Sequence, residues 1–98
     1  MFVVEEPIDK TIMSSGVTLF CLHRESAMLC IGLDDFTVCI LDCDTRVIVR
    51  KFEGHTGKIT DVTFSPDSRW LITAAMDSTI KVWDIPSSYM IDHFKVNF

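Results

Sequence analysis

The sequence predicts an all-β chain in which a unit of four short antiparallel strands occurs about twice. Three observations lead to this prediction. The chain repeats itself after 42 residues, its apolar and β-branched residues fall in short segments, and turn-forming residues separate those segments. A 42-residue period is in the range of architectures built from repeated units, so the period decides the fold class.

The repeat is visible when the sequence is shifted by 42 positions. The identical pairs are Thr18/Thr60, Ser26/Ser68, Leu29/Leu71, Asp35/Asp77, Thr37/Thr79, Asp42/Asp84 and Phe52/Phe94. Apolar residues also match in this register, at Val17/Ile59, Val38/Ile80, Ile40/Val82 and Val49/Ile91. The segment LDDFTVCILD is therefore a diverged copy of AMDSTIKVWD.

The second copy shows each element most clearly. Strands are predicted at 58–64, 70–74, 79–83 and 89–94. Between the first two strands, Pro66 fixes φ for a turn and Asp67 can bond its own backbone. Met76-Asp77-Ser78 gives a tight reversal, and Pro86-Ser87-Ser88 breaks the chain before the last strand. Four short strands in 42 residues is the period of one blade of a β-propeller.

The chain divides into four parts on this basis. Residues 1–16 are expected to be the remnant of a preceding blade or a loop, with an outer strand at 2–4. Residues 17–53 form a degenerate repeat, 54–94 a well-formed repeat, and 95–98 a truncated tail. Because propellers have roughly four to eight blades, two blades lead us to expect a partial propeller: a fragment, a truncated product or a splice form.

Composition narrows the functional classes. A positive mean hydropathy and 48% hydrophobic residues argue against a disordered tail. With 9 Lys and Arg against 14 Asp and Glu, the net charge of −5 argues against a nucleic-acid-binding surface. The tightest basic group, Arg46, Arg50 and Lys51, is expected to be a solvated strand face.

No stretch reaches the roughly 20 apolar residues of a membrane span, and the start MFVVEEP lacks the positive charge of a signal peptide. An intracellular, reducing compartment is expected.

Four cysteines, Cys21, Cys30, Cys39 and Cys43, with His23 nearby, raise the alternative of a thiolate metal site. Structural zinc sites usually contain close Cys pairs, and only Cys39 and Cys43 have such spacing. We expect thiols that behave as small hydrophobic residues on or beside strands, with no metal and no cofactor.

The motifs of the second copy identify a family resemblance. Gly54–His55, FSPDSRWL at 64–71 and DSTIKVWD at 77–84 resemble the WD40 repeat. The first copy keeps Asp35, Thr37 and Asp42 but has Leu41 in place of tryptophan. LDDF at 33–36, AAMD at 74–77 and WDIPSS at 83–88 also resemble the family of large WD-repeat subunits of the small-subunit processome. That processome is the U3 small nucleolar ribonucleoprotein particle that matures pre-ribosomal RNA. Family members usually have glycine where this chain has Ser68 and Ser88.

The resemblance implies a structural role for the acid in AAMD. In WD repeats a histidine, a serine or threonine, the turn aspartate and the tryptophan form one hydrogen-bonded chain, which here is His55, Thr73, Asp77 and Trp83. In the first copy the matching positions hold Met13, Ile31 and Leu41 beside Asp35, so apolar packing alone is expected there. A Ser/His/Asp hydrolytic triad is the alternative. It is disfavoured because the sequence lacks a Gly-x-Ser-x-Gly elbow, and no catalytic residue is predicted.

The resemblance also implies a function. WD-repeat propellers bind partners through residues before the turn aspartate and early in the first strand. These positions are Lys58, Thr60, Met76, Thr18 and Asp34, for which ordinary solvent-facing loop residues are the alternative. The expected function is a non-enzymatic scaffold in the nucleus and nucleolus for small-subunit ribosome biogenesis. Its partners would be processome proteins and the remaining blades, with RNA contacted at most indirectly, and with no membrane or small-molecule substrate. The alternative is a WD-repeat scaffold of another complex, such as a ubiquitin-ligase adaptor or signalling hub.

Overall fold

A computed structural model describes residues 16–96, and this part of the chain consists of strands, turns and bends without a helix. Its eight strands are β1 (Val17–His23), β2 (Met28–Leu33), β3 (Val38–Asp42), β4 (Val47–Phe52), β5 (Ile59–Phe64), β6 (Trp70–Ala75), β7 (Thr79–Asp84) and β8 (Met90–Lys95). They form two four-stranded antiparallel sheets in the orders β1-β2-β3-β4 and β5-β6-β7-β8. The predicted all-β fold class is therefore confirmed.

The turns repeat along with the strands. Among residues 16–96, six non-glycine residues have positive φ: Ala27, Phe36, Arg46, Ser68, Ser78 and Ser88. Phe36 matches Ser78 in the 42-residue register, and Arg46 matches Ser88. Each pair occupies the same position in equivalent hairpins, so the left-handed backbone belongs to the repeat and persists where no glycine is present.

The main core lies between the two sheets. Cys30, Val38, Ile40 and Phe52 of the first sheet share one cluster with residues of the second sheet. The second sheet contributes Ile59, Val62, Leu71, Ala75, Trp83 and Ile85. The alternation of strand side chains explains this arrangement, because Cys30 opposes Ile40 and Val38 opposes Phe52 in the ladders, which puts all four on one face. The other face of the first sheet carries a second cluster: Leu29, Ile31, Leu33, Cys39 and Leu41.

Polar contacts also join the two sheets. The Arg50 guanidinium donates from Nε to the carbonyl of Ile85 at 2.7 Å and from Nη2 to the carbonyl of Pro86 at 3.0 Å. His23 Nε2 lies 2.8 Å from the carbonyl oxygen of Pro66. The expectation of a solvated basic face is therefore wrong for Arg50, which is half-buried because its planar head reaches two carbonyls on the neighbouring sheet. Arg46 and Lys51 are exposed as expected.

The last strand ends one residue later than predicted. Lys95, assigned to a tail by the sequence, is the last residue of β8 because it pairs with Thr79 in the ladder. The amide of Val96 then donates to the carbonyl of Ser78 at 2.7 Å. The predictions for residues 1–15, including the strand at 2–4 and the position of Met13, lie outside the described residues, as do 97–98.

Candidate functional site

The turn between β6 and β7 holds a chain of hydrogen bonds that runs from the protein interior to the end of the second sheet. Trp83 Nε1 donates to Thr73 Oγ1 at 3.0 Å, and Thr73 Oγ1 lies 2.7 Å from His55 Nε2. His55 Nδ1 lies 3.1 Å from Asp77 Oδ2. The structure thus brings His55, Thr73, Asp77 and Trp83 together across four separate segments of the chain.

The chain of contacts has a consistent direction of donation. The indole N–H can only donate, so Thr73 accepts from Trp83 and can pass its own hydroxyl hydrogen to His55 Nε2. His55 then donates from Nδ1 to the carboxylate. This assignment uses every donor once, and no buried side-chain nitrogen or oxygen in the described part of the chain lacks a partner.

Asp77 accepts more hydrogen bonds than sequence reasoning anticipated. Its Oδ2 accepts from the amide of Thr56 at 2.9 Å, and its Oδ1 accepts from the amide of Thr79 at 3.0 Å and from the Thr79 hydroxyl. The repeat contained a signal for Thr79, since Thr37 and Thr79 match in the 42-residue register. Thr56 contributes only its backbone, which side-chain motifs do not reveal.

These bonds determine the ionisation of Asp77. Burial is the largest single influence on its pKa and acts to raise it. The hydrogen bonds from the Thr79 hydroxyl, the Thr56 amide, His55 and the Thr79 amide together outweigh burial and hold the pKa of this carboxyl well below its usual value. Asp77 is therefore a charged acceptor at neutral pH, the kind that makes hydrogen bonds strong.

Gly57 was also missed by the sequence prediction. A Cβ at this position would lie 2.6 Å from the backbone nitrogen of Asp77 and 3.0 Å from the carbonyl carbon of Met76. Backbone atoms cannot move aside as a flexible side chain can, so the strand that follows His55 approaches the turn only because residue 57 has no side chain.

The first sheet carries a reduced version of the site. Asp35 Oδ1 accepts from the amide of Thr37 at 3.1 Å and from its hydroxyl. The positions of Thr73 and Trp83 are taken by Ile31 and Leu41, which are buried in the second apolar cluster. The expectation of apolar packing alone is thus incomplete, because the Asp35–Thr37 bonds are also present.

The predicted partner-binding residues lie at one end of both sheets. The amide of Met76 donates to the carbonyl of Lys58 at 2.8 Å, and the amide of Asp34 donates to the carbonyl of Gly16 at 2.8 Å, which is the same contact 42 residues earlier. Lys58, Thr60, Met76 and Asp34 are exposed. Thr18 is half-buried, and its hydroxyl donates to the carbonyl of Gly32 at 3.2 Å. We call these five residues the loop-end surface.

A shallow cavity adjoins the loop-end surface. It has a volume of about 300 Å³ and is lined by Thr60 and Met76 together with residues of β6, β7 and the chain end. Met76 projects beside it with 69% of its surface exposed. An exposed, flexible, apolar side chain next to a cavity suits contact with a protein partner.

Comparison with known proteins places these features in a family. The model of the WDR36/Utp21 second β-propeller domain matches residues 1–98. The chain belongs to the WDR36/Utp21 β-propeller family. The processome resemblance drawn from LDDF, AAMD and WDIPSS is confirmed at this level.

Two curated relatives of the WDR36/Utp21 family are much longer than this chain. Human "WD repeat-containing protein 36" is 52% identical over 87 residues, which are 89% of this chain and 10% of the relative. "U3 small nucleolar RNA-associated protein 21" of Saccharomyces cerevisiae is 36% identical over 85 residues, or 87% of this chain and 9% of the relative. The chain therefore spans about a tenth of the length of these relatives.

A solved structure supports the same architecture for this WDR36/Utp21 family member. The β-propeller domain of Cps50 (Swd1) from Myceliophteria thermophila aligns with a TM-score of 0.78 and 27% identity. The alignment covers 83% of this chain and 26% of that one. The two sheets are accordingly arranged as propeller blades.

The site of this WDR36/Utp21 family member contains an Asp–His–Thr series that resembles a hydrolytic triad in its order of contacts. A nucleophile must be reachable by substrate, but Thr73 has 0% of its surface exposed and its oxygen accepts the Trp83 N–H. In this arrangement the three groups can hold the turn but cannot attack a bound molecule.

Across residues 16–96, no group of three or more His, Cys, Asp or Glu side chains is arranged to hold a metal ion. His23, the histidine near the cysteines, instead contacts Ser26 Oγ at 2.8 Å. The same range has no helix with the length and apolar character needed to cross a membrane.

Proposed function

We propose that this chain is part of a non-enzymatic WD-repeat scaffold that assembles proteins during small-subunit ribosome biogenesis, in the nucleus and nucleolus. The observation that carries the proposal is the match of the WDR36/Utp21 family model to residues 1–98, together with a yeast relative named a U3 small nucleolar RNA-associated protein. The partners are other processome subunits and the remaining blades of the propeller.

The distribution of buried and exposed groups supports a scaffold over an enzyme. The histidine and hydroxyl that could do chemistry are buried and bonded to each other, with His55 7% and Thr73 0% exposed. The groups left accessible at the loop-end surface are a lysine, a threonine, a methionine and an aspartate. Such a surface suits protein contacts, where a rigid scaffold presents loops of variable chemistry.

Charge supports indirect contact with RNA. A protein that binds RNA through phosphates presents clustered Lys and Arg, whereas this chain has a net charge of −5. Of its most closely spaced basic residues, Arg50 is engaged with two carbonyls of the neighbouring sheet. RNA in the assembly is therefore contacted through other subunits or other parts of the protein.

The test is affinity purification of the full-length protein from cells, with two matched double variants. Lys58→Glu with Met76→Asp changes the loop-end surface. Arg46→Glu with Tyr89→Asp makes the same charge changes at exposed hairpin positions at the other end of the sheets. We expect processome subunits and U3 RNA to co-purify with the wild type and the control, and to be reduced severalfold with the loop-end variant.

Different outcomes would overturn the assignment to ribosome biogenesis and the role of the loop-end surface. Absence of processome subunits from the wild-type purification would overturn the assignment to ribosome biogenesis. Their equal recovery with both double variants would leave that assignment standing and overturn the role of the loop-end surface.

A further inference from the structure

Two of the four cysteines face each other across neighbouring strands. Cys21 of β1 and Cys30 of β2 are direct partners in the antiparallel ladder. Opposite residues in such a ladder project to the same face with Cα atoms about 4.5–5.5 Å apart. Disulfides span Cα separations of about 4.4–6.8 Å, so the backbone positions of Cys21 and Cys30 are compatible with a disulfide.

The two cysteines also share one environment. Cys30 is completely buried in the cluster between the sheets, and Cys21 packs against that cluster from the edge strand while remaining half-buried. Cys21 is therefore the more accessible of the two thiols. Burial, with smaller contributions from the neighbouring Cys21 and Cys39 thiols, raises the pKa of Cys30, so Cys30 is the less reactive thiol towards an external oxidant.

The remaining cysteines are placed differently. Cys39 opposes Ile31 and Lys51 in its ladders and belongs to the cluster on the other face of the first sheet. Cys43 follows β3 and packs against that same second cluster. Cys21 with Cys30 is the one directly opposed pair among the four cysteines, all of which lie in the described part of the chain.

We propose that Cys21 and Cys30 are an oxidation site at which a disulfide joins the edge strand β1 to β2. With hydrogen peroxide as oxidant, the Cys21 thiol releases its proton and the thiolate attacks one peroxide oxygen. The O–O bond breaks, a sulfenic acid forms, and the departing hydroxide takes up the released proton to give water. The Cys30 sulfur then attacks the Cys21 sulfur, the S–O bond breaks, and the thiol proton leaves with the hydroxyl as a second water. In sum, two thiols and one peroxide give one disulfide and two waters, and the peroxide is reduced by two electrons.

The disulfide would act on a strand that otherwise has one ladder. β1 lies at the edge of its sheet and carries His23, whose ring contacts the Pro66 carbonyl on the second sheet. Joining β1 covalently to β2 restricts fraying of this strand and closes a loop in the unfolded chain. Oxidation is therefore expected to raise the denaturation midpoint, and dithiothreitol to reverse the rise. This inference is independent of the proposed function.

The test is peptide mapping of the folded chain after treatment with hydrogen peroxide and alkylation of the remaining thiols in denaturant. Arg24 separates Cys21 from Cys30 for trypsin, and Asp34, Asp35 and Asp42 separate Cys30, Cys39 and Cys43 for a protease that cleaves before aspartate. Every possible pairing therefore gives a distinct linked peptide. We expect the Cys21–Cys30 peptide to dominate in the native chain, and mixed pairings when the same oxidation is done in denaturant.

Two serine variants test which cysteines form the link. Cys30→Ser should abolish the link and leave a Cys21 sulfenic acid that dimedone can trap. Cys39→Ser should leave the Cys21–Cys30 link unchanged. Native oxidation that links Cys21 mainly to Cys39 or Cys43, that matches the pairing in denaturant, or that gives Cys21 sulfenic acid without a disulfide in the wild type would each overturn the proposal.

Discussion

Phe52 at the end of the first sheet packs against Trp83 of the second, with ring centroids 5.0 Å apart and ring planes inclined by 36°. Phe52 is 2% exposed and Trp83 is 5% exposed. The pair joins the apolar core to the polar site, because the same indole that meets Phe52 donates its N–H to Thr73. Packing between the sheets and the hydrogen-bonded turn therefore depend on one side chain.

Phe52→Ala should strongly destabilise the isolated chain. Removing a buried Phe side chain costs about 3–5 kcal/mol. Phe94 is the matched control, because it is the same residue in the 42-residue register but is 49% exposed here. In denaturant titrations of the isolated chain, Phe94→Ala should cost much less than Phe52→Ala. Similar losses at the two positions would contradict the assignment of the core to the space between the sheets.

Asp77→Ala should destabilise more than Asp35→Ala in a closed propeller that contains both repeats. The first change removes the acceptor for His55, Thr56 and Thr79, and each buried donor left unpaired costs roughly 1–3 kcal/mol. At Asp35 the amide and hydroxyl of Thr37 lose their acceptor, but Ile31 and Leu41 have no side-chain donor to strand, so a smaller loss, on the order of 1 kcal/mol, is expected. Equal denaturation midpoints, or a larger drop for Asp35→Ala, would show that this network does not hold the second blade.

The stability of the second repeat should fall in acid through Asp77. Its folded pKa is held below the unfolded value of about 3.9. In the pH range between the two values the unfolded state binds more protons, so stability increases with pH. The contribution is fully present above the unfolded pKa and is lost as the pH falls towards the folded one. Asp77→Asn should flatten the acid limb of a stability–pH profile below about pH 4. An unchanged slope in that variant would argue against a depressed pKa.

Replacing serine by glycine at two turns should stabilise the chain. Ser68 and Ser88 have φ values of 58° and 66°, in the left-handed region where a side chain costs about 1–2 kcal/mol. Glycine removes this strain, but it also increases the conformational entropy of the unfolded chain, which offsets part of the stabilisation. We therefore expect the free energy of unfolding to increase by about 0.5 kcal/mol per site. Ser87→Gly is the control, since the Ser87 hydroxyl donates to Asp84 Oδ2 at 2.6 Å and its loss should destabilise. Thermal unfolding of the three variants decides the point.

Depletion of the full-length protein should lower mature small-subunit ribosomal RNA and increase its precursors. The physical reason is that a scaffold acts through the assembly it holds together, so its loss stops processing without removing any catalytic group. Northern analysis of precursor and mature RNA after depletion measures this, with large-subunit RNA as the internal control. Normal processing would favour a WD-repeat scaffold of a different complex.

The strands and turns of the second copy could be predicted from the residues alone, and the resemblance to the WD40 repeat implied four members of the hydrogen-bonded site, His55, Thr73, Asp77 and Trp83. The strands and turns follow from local chemistry, because alternating apolar residues determine each strand, and Pro66 and Asp67 determine a turn. The 42-residue repeat also pairs Asp35 with Asp77. The four strands predicted for the second copy agree with β5 to β8 to within one residue at each end.

The tertiary structure decided which groups meet across segments distant in the chain. Arg50 could be classified only as basic from sequence, since the Ile85 and Pro86 carbonyls that it binds lie in the turn between β7 and β8, far along the chain. Gly57 and the Thr56 amide were likewise invisible, because close backbone approach and backbone donors have no side-chain signature. The alignment of Cys21 with Cys30 depends on ladder register, which is fixed when β1 and β2 pair and bury their shared face.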